Sequence, residues 1–355
     1  MSLIKPSPTR ERTGPPPPAV EEPPTRTRTA LRSAGLAGAA ALLLVLLVLS
    51  LGFGARPLSA GEVWSGLFDS GSEAWSVVRE MRLPRTLLGL LVGLALGLAG
   101  AVMQALTRNP LADPGLLGIN AGASAAVVTS IAFLGVTGFT GYVWFALAGA
   151  AVVSVVVYAV GGGRGATPAR LALAGAALNA ALYSYVSAAM ILDAAALERM
   201  RFWTVGSLAS ARMDAVVQVL PFIATGTLAA LALARPLNAL TLGDDQARAL
   251  GARPERVRAA CVVAITLLCG AATAAAGPIV FVGLMVPHLV RAITGPDLRW
   301  VLPYCAVLAP VLLLGSDVLG RLLGRPGELQ VGVVTAVLGG PVFLYVLRRR
   351  KVAAA

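Results

Sequence analysis

The sequence is poor in the residue types that most catalytic and metal sites require. It contains one histidine, His288, and three scattered cysteines, which form no cluster of metal ligands. A phosphate-binding P-loop needs the sequence Gly-Lys-Ser/Thr, and neither of the two lysines stands in that context. The sequence therefore predicts no metal site, no bound cofactor and no ATP site in this chain.

Charge is also scarce. Only 13% of the 355 residues are charged, whereas about 25% is usual in soluble proteins. Hydrophobic residues make up 57%, and they form repeated runs of about 20 residues, enough for a helix to cross a bilayer. These runs lack the alternation of apolar and polar residues that a membrane barrel needs. We predict an all-α polytopic membrane protein with about ten transmembrane helices, at residues 34–54, 86–106, 116–136, 141–160, 168–190, 215–234, 257–276, 278–293, 300–319 and 330–348.

The distribution of charge predicts the orientation. With ten spans, both termini lie on the same side of the membrane. The segments on that side together carry the full net charge of +12, so we assign it as the cytoplasmic side. This agrees with the positive-inside rule. The basic character is thus a topology signal, and no nucleic-acid partner is predicted. Residues 1–33 are rich in proline and charge and are predicted to be a disordered cytoplasmic tail, followed by a ten-span membrane domain at 34–351.

The predicted spans contain no central carboxylate. Asp193 and Asp317 fall at outer ends, and Asp113 falls in an inner turn. A proton-coupled secondary transporter usually needs such a group at mid-membrane depth, and a channel needs charged rings or ordered carbonyl loops. A nucleophile with a nearby base, which an enzyme would require, is missing as well. The lack of a central carboxylate argues that, if the chain is a transporter, the energy comes from elsewhere.

Four segments carry a resemblance to a known family. They are "RLPRTLLGLLVGLALGLAGAVMQALTRNPLADPGLLGINAGAS" (82–124), "LNALTLGDDQARALG" (237–251), "GPIVFVGLMVPHLVRAITG" (277–295) and "PGELQVGVVTAVLGGPVFLYVLRRR" (326–350). In this order they resemble the FecCD-type permeases, the membrane subunits of type II ATP-binding-cassette importers for ferric siderophores, haem or cobalamin. The resemblance extends from about residue 34 to 351.

The resemblance implies a ten-span permease in a bacterial cytoplasmic membrane. The implied partners are a second permease subunit, identical or related, two cytoplasmic ATPase subunits and an extracytoplasmic substrate-binding protein. The substrate path would follow the interface between the two permeases. ATP hydrolysis would take place on the ATPases, so the chain itself is not expected to be an enzyme. Ferric siderophore is the favoured cargo, with haem or cobalamin as alternatives and a stand-alone secondary transporter as a further one.

The polar inner loop at 235–256 is the predicted ATPase-coupling segment. Its acidic residues can begin a short helix, whose positive N-terminus they would stabilise. Its apolar residues could sit in a groove on an ATPase, although the residues alone fit a solvated loop equally well. The resemblance favours docking through Leu242, Gly243, Asp244, Asp245, Ala247, Leu250 and Gly251.

Further positions take their interpretation partly from the resemblance. Ala166 and Thr167 match a cytoplasmic gate, although Pro168 departs from the better-known relatives and an ordinary turn remains open. His288 and Arg291 share one helix face and are interpreted as structural groups that bond to neighbouring backbone, with a role in coupling to the ATPase as the alternative. Together with them, the structural signature comprises Asn109, Pro110 and Pro287.

Three outer arginines are the last predicted site. Arg82 and Arg85 precede the second span, and Arg321 follows the ninth. They match positions at which similar permeases pair with glutamates of the binding protein. We therefore expect them to be exposed and to dock that protein, the alternative being that Arg82 and Arg85 only anchor a helix end at the lipid interface.

Overall fold

The computed structural model describes residues 25–54, 57–136, 138–162 and 167–353. In these ranges the secondary structure is helical, without a strand. The first eight helices are α1 (Thr25–Gly52), α2 (Ala60–Phe68), α3 (Leu83–Leu106), α4 (Ile119–Ala132), α5 (Phe139–Val160), α6 (Pro168–Leu192), α7 (Ala194–Trp203) and α8 (Met213–Ala232). The remaining helices are α9 (Ala234–Thr241), α10 (Asp244–Ala249), α11 (Pro254–Ala276), α12 (Val282–Thr294), α13 (Leu298–Leu323) and α14 (Val331–Ala353).

Seven of the described helices are long and apolar enough to cross a membrane, namely α1, α3 with the π-helical turn before it, α5, α6, α8, α11 and α13. Three shorter apolar helices, α4, α12 and α14, occupy the places of the remaining predicted spans. The all-helical, multi-pass prediction is therefore confirmed. The short helices α2, α7 and α9 were not predicted.

The N-terminal boundary differs from the prediction. Helix α1 begins at Thr25, so residues 25–33 are helical and their assignment to a disordered tail is wrong. Residues 1–24, the rest of the predicted tail, lie outside the described residues. The apolar run that starts at residue 34 thus continues a helix that has already begun.

Two of the short helices owe their length to backbone breaks. Helix α4 starts after Gly118, whose φ of 74° lies in the left-handed region. Helix α11 ends before Gly277 at φ 72°, and Phe281 at φ 70° precedes α12. A Cβ at Gly277 would lie 2.0 Å from the Trp203 carbonyl oxygen, so the close approach of this loop requires glycine.

Helix α3 is the centre of the bundle and packs against α8, α11, α12 and α13. Its glycines make this closeness possible. A Cβ at Gly93 would lie 2.6 Å from the Cα of Pro310 in α13, and one at Gly100 would lie 1.8 Å from the Gly283 oxygen in α12. Small residues let helix backbones approach where lipid gives little hydrophobic drive. The close packing of α3 on α12 and α13 therefore depends on glycine at these positions.

Candidate functional site

Helix α10 is tied to the bundle by one carboxylate at the predicted inner end. Asp244 accepts hydrogen bonds from Arg108 at 2.9 Å and from Arg258 of α11 at 2.6 Å. Arg108, just after α3, also donates to the Leu240 carbonyl at 2.7 Å. The hydrogen bond from Arg258 is the main cause that lowers the pKa of Asp244, so this group stays ionised at neutral pH. The predicted short helix with acids in its first turn is confirmed.

The predicted coupling residues separate into exposed and buried members. The side chains of Leu242 and Leu250 are 59% and 67% exposed. Ala247 is fully buried in the core of the chain, so its assignment to the same exposed apolar side is wrong. Its position on α10 turns it toward the bundle, while the two leucines lie just outside the ends of that helix.

The ends of this segment are shaped by glycine. Gly243 and Gly251 have φ of 119° and 81°, values that residues with a side chain rarely adopt. Asp245 points to solvent and pairs with Arg248 at 3.4 Å. The two glycines therefore bound α10, with Leu242 and Leu250 directly next to them.

The signature residues of the inner turn and of α12 have structural contacts. The Asn109 side chain accepts a hydrogen bond from the Leu111 N–H at 2.9 Å, in the turn that contains Pro110. In α12, Pro287 is buried and His288 is half-buried. These positions hold the chain reversal after α3 and the packing of α12.

Arg291 connects α12 to the inner part of α3. Its guanidinium donates to the side-chain oxygen of Gln104 and, at 3.3 Å, to the Ala101 carbonyl. The amide of Gln104 in turn donates to the Leu284 carbonyl at 2.9 Å. Arg291 therefore bonds to backbone of the neighbouring helix, as its interpretation as a structural group expects.

The predicted gate is only partly described. Ala166 lies outside the described residues. Thr167 is the N-cap of α6, and its hydroxyl accepts a hydrogen bond from the Arg170 N–H at 3.4 Å. Pro168 then occupies the first helical position, where its missing N–H costs nothing. The departure from the family pattern at Pro168 thus has a local structural reason.

A buried ionic cluster lies at the predicted outer end. Asp317 of α13 pairs with Arg85 of α3 at 2.8 Å and with Arg321 at 2.9 Å. The side chains of Asp317 and Arg321 are 1% and 2% exposed. Arg85 also pairs with Glu328 at 2.6 Å, in the loop before α14. The cluster joins α3, α13 and that loop.

The same arginines hold the end of α1. Arg321 and Arg82 donate to carbonyl groups at and just beyond its C-terminus, at distances of 2.6–3.0 Å. Cations are favoured at helix C-termini, where the last carbonyl groups lack intrahelical partners. The accepting groups belong to Ser50, Leu51, Gly52 and Phe53.

These contacts correct the expectation of exposed docking arginines. Arg82 is 6% exposed, and the side chains of Arg85 and Arg321 are 11% and 2% exposed. They were expected to be exposed because they match positions at which similar permeases pair with the binding protein. The sequence does not show that Asp317 and Glu328 lie against them. Only the Asp317–Arg321 spacing of four residues could have revealed part of this cluster.

Helix α6 has an unusual exposed surface. Between residues 176 and 188 its exposed side chains are those of alanine, serine and tyrosine alone. The exposed faces of α1 and α5 carry leucine and valine instead, as lipid contact requires. Beside α6, a cavity of about 400 Å³ is lined by Tyr183 and Ser187 together with Ser124 of α4. This surface suits a protein neighbour or a water-filled path better than lipid.

Within the part of the chain that the structure describes, no group of three or more His, Cys, Asp and Glu side chains could hold a metal ion. The ionic contacts of Asp244 and Asp317 lie at the two predicted ends of the bundle, and the buried core is mostly apolar. These features define a multi-pass helical membrane protein of the transporter class.

Comparison with known proteins gives the family. The chain belongs to the FecCD transport family, whose model matches residues 42–349. It is 46% identical over 324 residues to the ferric enterobactin transport system permease protein of Escherichia coli, covering 90% of this chain and 96% of that one. It is 37% identical to the hemin transport system permease protein of Yersinia pestis, covering 87% and 95%.

A solved structure agrees with the fold. A metal-chelate type ABC transporter in an inward-facing conformation superposes with a TM-score of 0.81 at 26% identity, covering 89% of this chain and 99% of that one. The family and the apolar helices together identify the chain as a multi-pass permease of the bacterial cytoplasmic membrane.

Proposed function

We propose that the chain is the membrane-spanning permease subunit of an importer that takes up ferric siderophores. The observation that carries this proposal is its 46% identity, over 90% of its length, to a permease named for ferric enterobactin. A permease named for siderophore transport in Bacillus subtilis is 39% identical. Relatives named for hemin and cobalamin are each 37% identical, so those cargoes remain the second choice.

The driving force would come from two cytoplasmic ATPase subunits that engage α10. The contacts of Asp244 support this role, because they anchor the segment to the bundle by two ion pairs while Leu242 and Leu250 stay exposed. A solvated loop without a partner would gain little from exposed leucines bordering a fixed helix. In the assembled importer these side chains would enter a groove on the ATPase.

The substrate path would lie between two permease subunits, identical or related, along α6. The support is the exposed face of that helix, where Ala180, Ser184 and Ser187 stand in place of the leucines that face lipid elsewhere. Small residues allow close helix contact, and hydroxyl groups tolerate water. At the inner end of this helix, Thr167 would take part in closing the path.

A substrate-binding protein would deliver the cargo at the outer face. The outer ionic cluster supports this arrangement indirectly, because it fixes the end of α1 and the loop that carries Glu328, both of which border that face. Its arginines would thus shape the docking surface from beneath it. Of the three arginines, Arg85 is the most exposed. It would pair directly with the binding protein if its ion pair with Glu328 were broken.

The coupling assignment is tested by Leu250→Asp. An unpaired charge in an apolar contact is costly, so we expect the importer to lose ATPase co-purification and ATP-driven uptake of radio-iron as ferric enterobactin. The matched control is Leu197→Asp on the outer helix α7, where the side chain is 46% exposed. In this control variant the ATPases should still co-purify. Unchanged uptake by Leu250→Asp would contradict docking through α10. Failure of the native importer to take up any iron chelate would contradict the proposed cargo.

A further inference from the structure

A second and larger cavity opens at the outer end of the bundle. It has a volume of about 610 Å³, within the usual range for small-molecule sites. Its lining comes from the outer ends of α4, α5, α7 and α11, from the loop before α8, and from Gln330 before α14. Its inner wall is apolar and includes Val127, Met200 and Ala275. The cavity is separate from the ionic cluster around Asp317.

Two arginines stand at this cavity without an acid among its lining residues. Arg212 keeps one salt bridge, to Asp214 at 3.3 Å. Arg199 of α7 forms no hydrogen bond or ion pair with any residue that the structure describes. Its neighbour Arg201, by contrast, pairs with Glu198 at 3.2 Å. A cation that lines a concave site without a counter-ion favours an anionic ligand there.

Neutral donors reinforce this preference. Trp203 is 9% exposed, and its indole N–H, which can only donate, is buried without an acceptor. Buried polar groups are normally hydrogen-bonded, so an orphaned donor in a cavity wall calls for an explanation. The hydroxyl oxygen of Ser207 accepts from the Ala209 N–H at 3.1 Å, which leaves its hydrogen free to donate. Ser210 adds a second hydroxyl.

The position of the cavity relates it to the exposed face of α6. Thr204 and Val205, directly after Trp203, line the smaller cavity beside Tyr183 and Ser187. The end of α7 and the residues after it contribute to the lining of both cavities. A ligand held in the larger one would therefore lie next to the proposed substrate path, on the outer side.

We propose that this cavity is an outer binding site for an anionic ferric chelate, in which Arg199 contacts the chelate oxygens, the Trp203 indole turns to donate to them, and the apolar wall contacts the organic body of the chelate. This inference rests on the proposed function and adds to it a charge preference in the cargo. The chelate would meet this site after release from the binding protein and before it enters the path. A neutral chelate would gain little from it.

The test measures equilibrium binding to the permease–ATPase complex in nanodiscs without the binding protein. The probes are radio-iron ferric enterobactin, which is anionic, and a ferric tris-hydroxamate, which is neutral. Loss of a charge-assisted contact in Arg199→Gln should weaken binding of the anionic probe roughly tenfold and leave the neutral probe unchanged. Trp203→Phe keeps the ring and removes the donor, and should weaken the anionic probe roughly threefold. Arg201→Gln, on the same helix and already paired, is the matched control and should bind like the native complex.

Four outcomes would overturn the proposal. The first is absence of measurable binding of the anionic probe to the native complex, and the second is equal binding by Arg199→Gln and Arg201→Gln. The third concerns anionic lipid: if nanodiscs with phosphatidylglycerol abolish probe binding, and Arg199→Gln instead loses bound phosphatidylglycerol, the cavity is a lipid headgroup site. The fourth is ATP-driven uptake of both probes that Arg199→Gln leaves unchanged. This result would refute the site alone, because uptake by the native importer would still support the proposed function.

Discussion

Removal of the Asp317 carboxylate should destabilise the protein strongly. Asp317→Ala leaves the guanidinium groups of Arg85 and Arg321 without the acid that lies 2.8 and 2.9 Å from them. Their side chains are only 11% and 2% exposed, so water replaces the lost partner poorly. Breaking a buried ion pair from one side costs about 3–5 kcal/mol. Glu328 remains beside Arg85, which places the larger share of the cost on Arg321.

The measurement is the thermal midpoint of the detergent-solubilised protein, followed by intrinsic fluorescence or by loss of the monodisperse size-exclusion peak. A change of this size should lower the midpoint by roughly 5–10 °C or more. Asp317→Asn keeps one acceptor oxygen and should lower it less. The matched control is Asp245→Ala, since that side chain is fully exposed in α10. If Asp317→Ala melts within about 1 °C of the native protein, the cluster contributes nothing to stability and the reasoning fails.

Two further changes test the packing and the coupling segment. Gly100→Ala places a Cβ 1.8 Å from the Gly283 oxygen, where only backbone movement can relieve the contact, so this variant should lower the yield of folded protein. The control Gly315→Ala places a Cβ no closer than 4.0 Å to another residue and should leave the yield unchanged. Equal yields would refute the close approach of α3 and α12. Asp244→Asn weakens the ion pairs that join α10 to Arg108 and Arg258. This variant should reduce the amount of iron taken up per ATP hydrolysed while the ATPases still co-purify. An unchanged ratio of iron uptake to ATP hydrolysis would show that the two arginines do not position this helix.

The arrangement of spans was largely predictable from sequence, because hydropathy and breakers act locally. The predicted run at 168–190 became α6, Pro168–Leu192, and the run at 257–276 became α11, Pro254–Ala276. Gly89, Gly93, Gly97 and Gly100 of α3 recur at helical spacing, which is typical of a close contact between helices. The lengths of α4 and α12 were less predictable, since left-handed backbone at Phe281 depends on the loop packed against it.

The pairing of charges was not predictable. Arg85 and Asp317 are separated by 232 positions, and nothing in either local sequence indicates that they meet. The resemblance even favoured the opposite interpretation, because it assigned the arginines to an exterior partner. Ala247 shows the same limit on a smaller scale: an apolar residue in a polar loop fits an exposed contact or a buried one, and only the orientation of α10 decides.

The central position of α3 has a consequence for how the protein forms during synthesis. Its glycine face packs on α12 and α13, which the ribosome makes only after eight intervening helices. Until then α3 can be inserted in the membrane, yet the partners of its small-residue face and of Arg85 do not exist. The nascent permease must therefore keep this helix available, loosely surrounded by the earlier ones, and it reaches its final packing only near the end of translation.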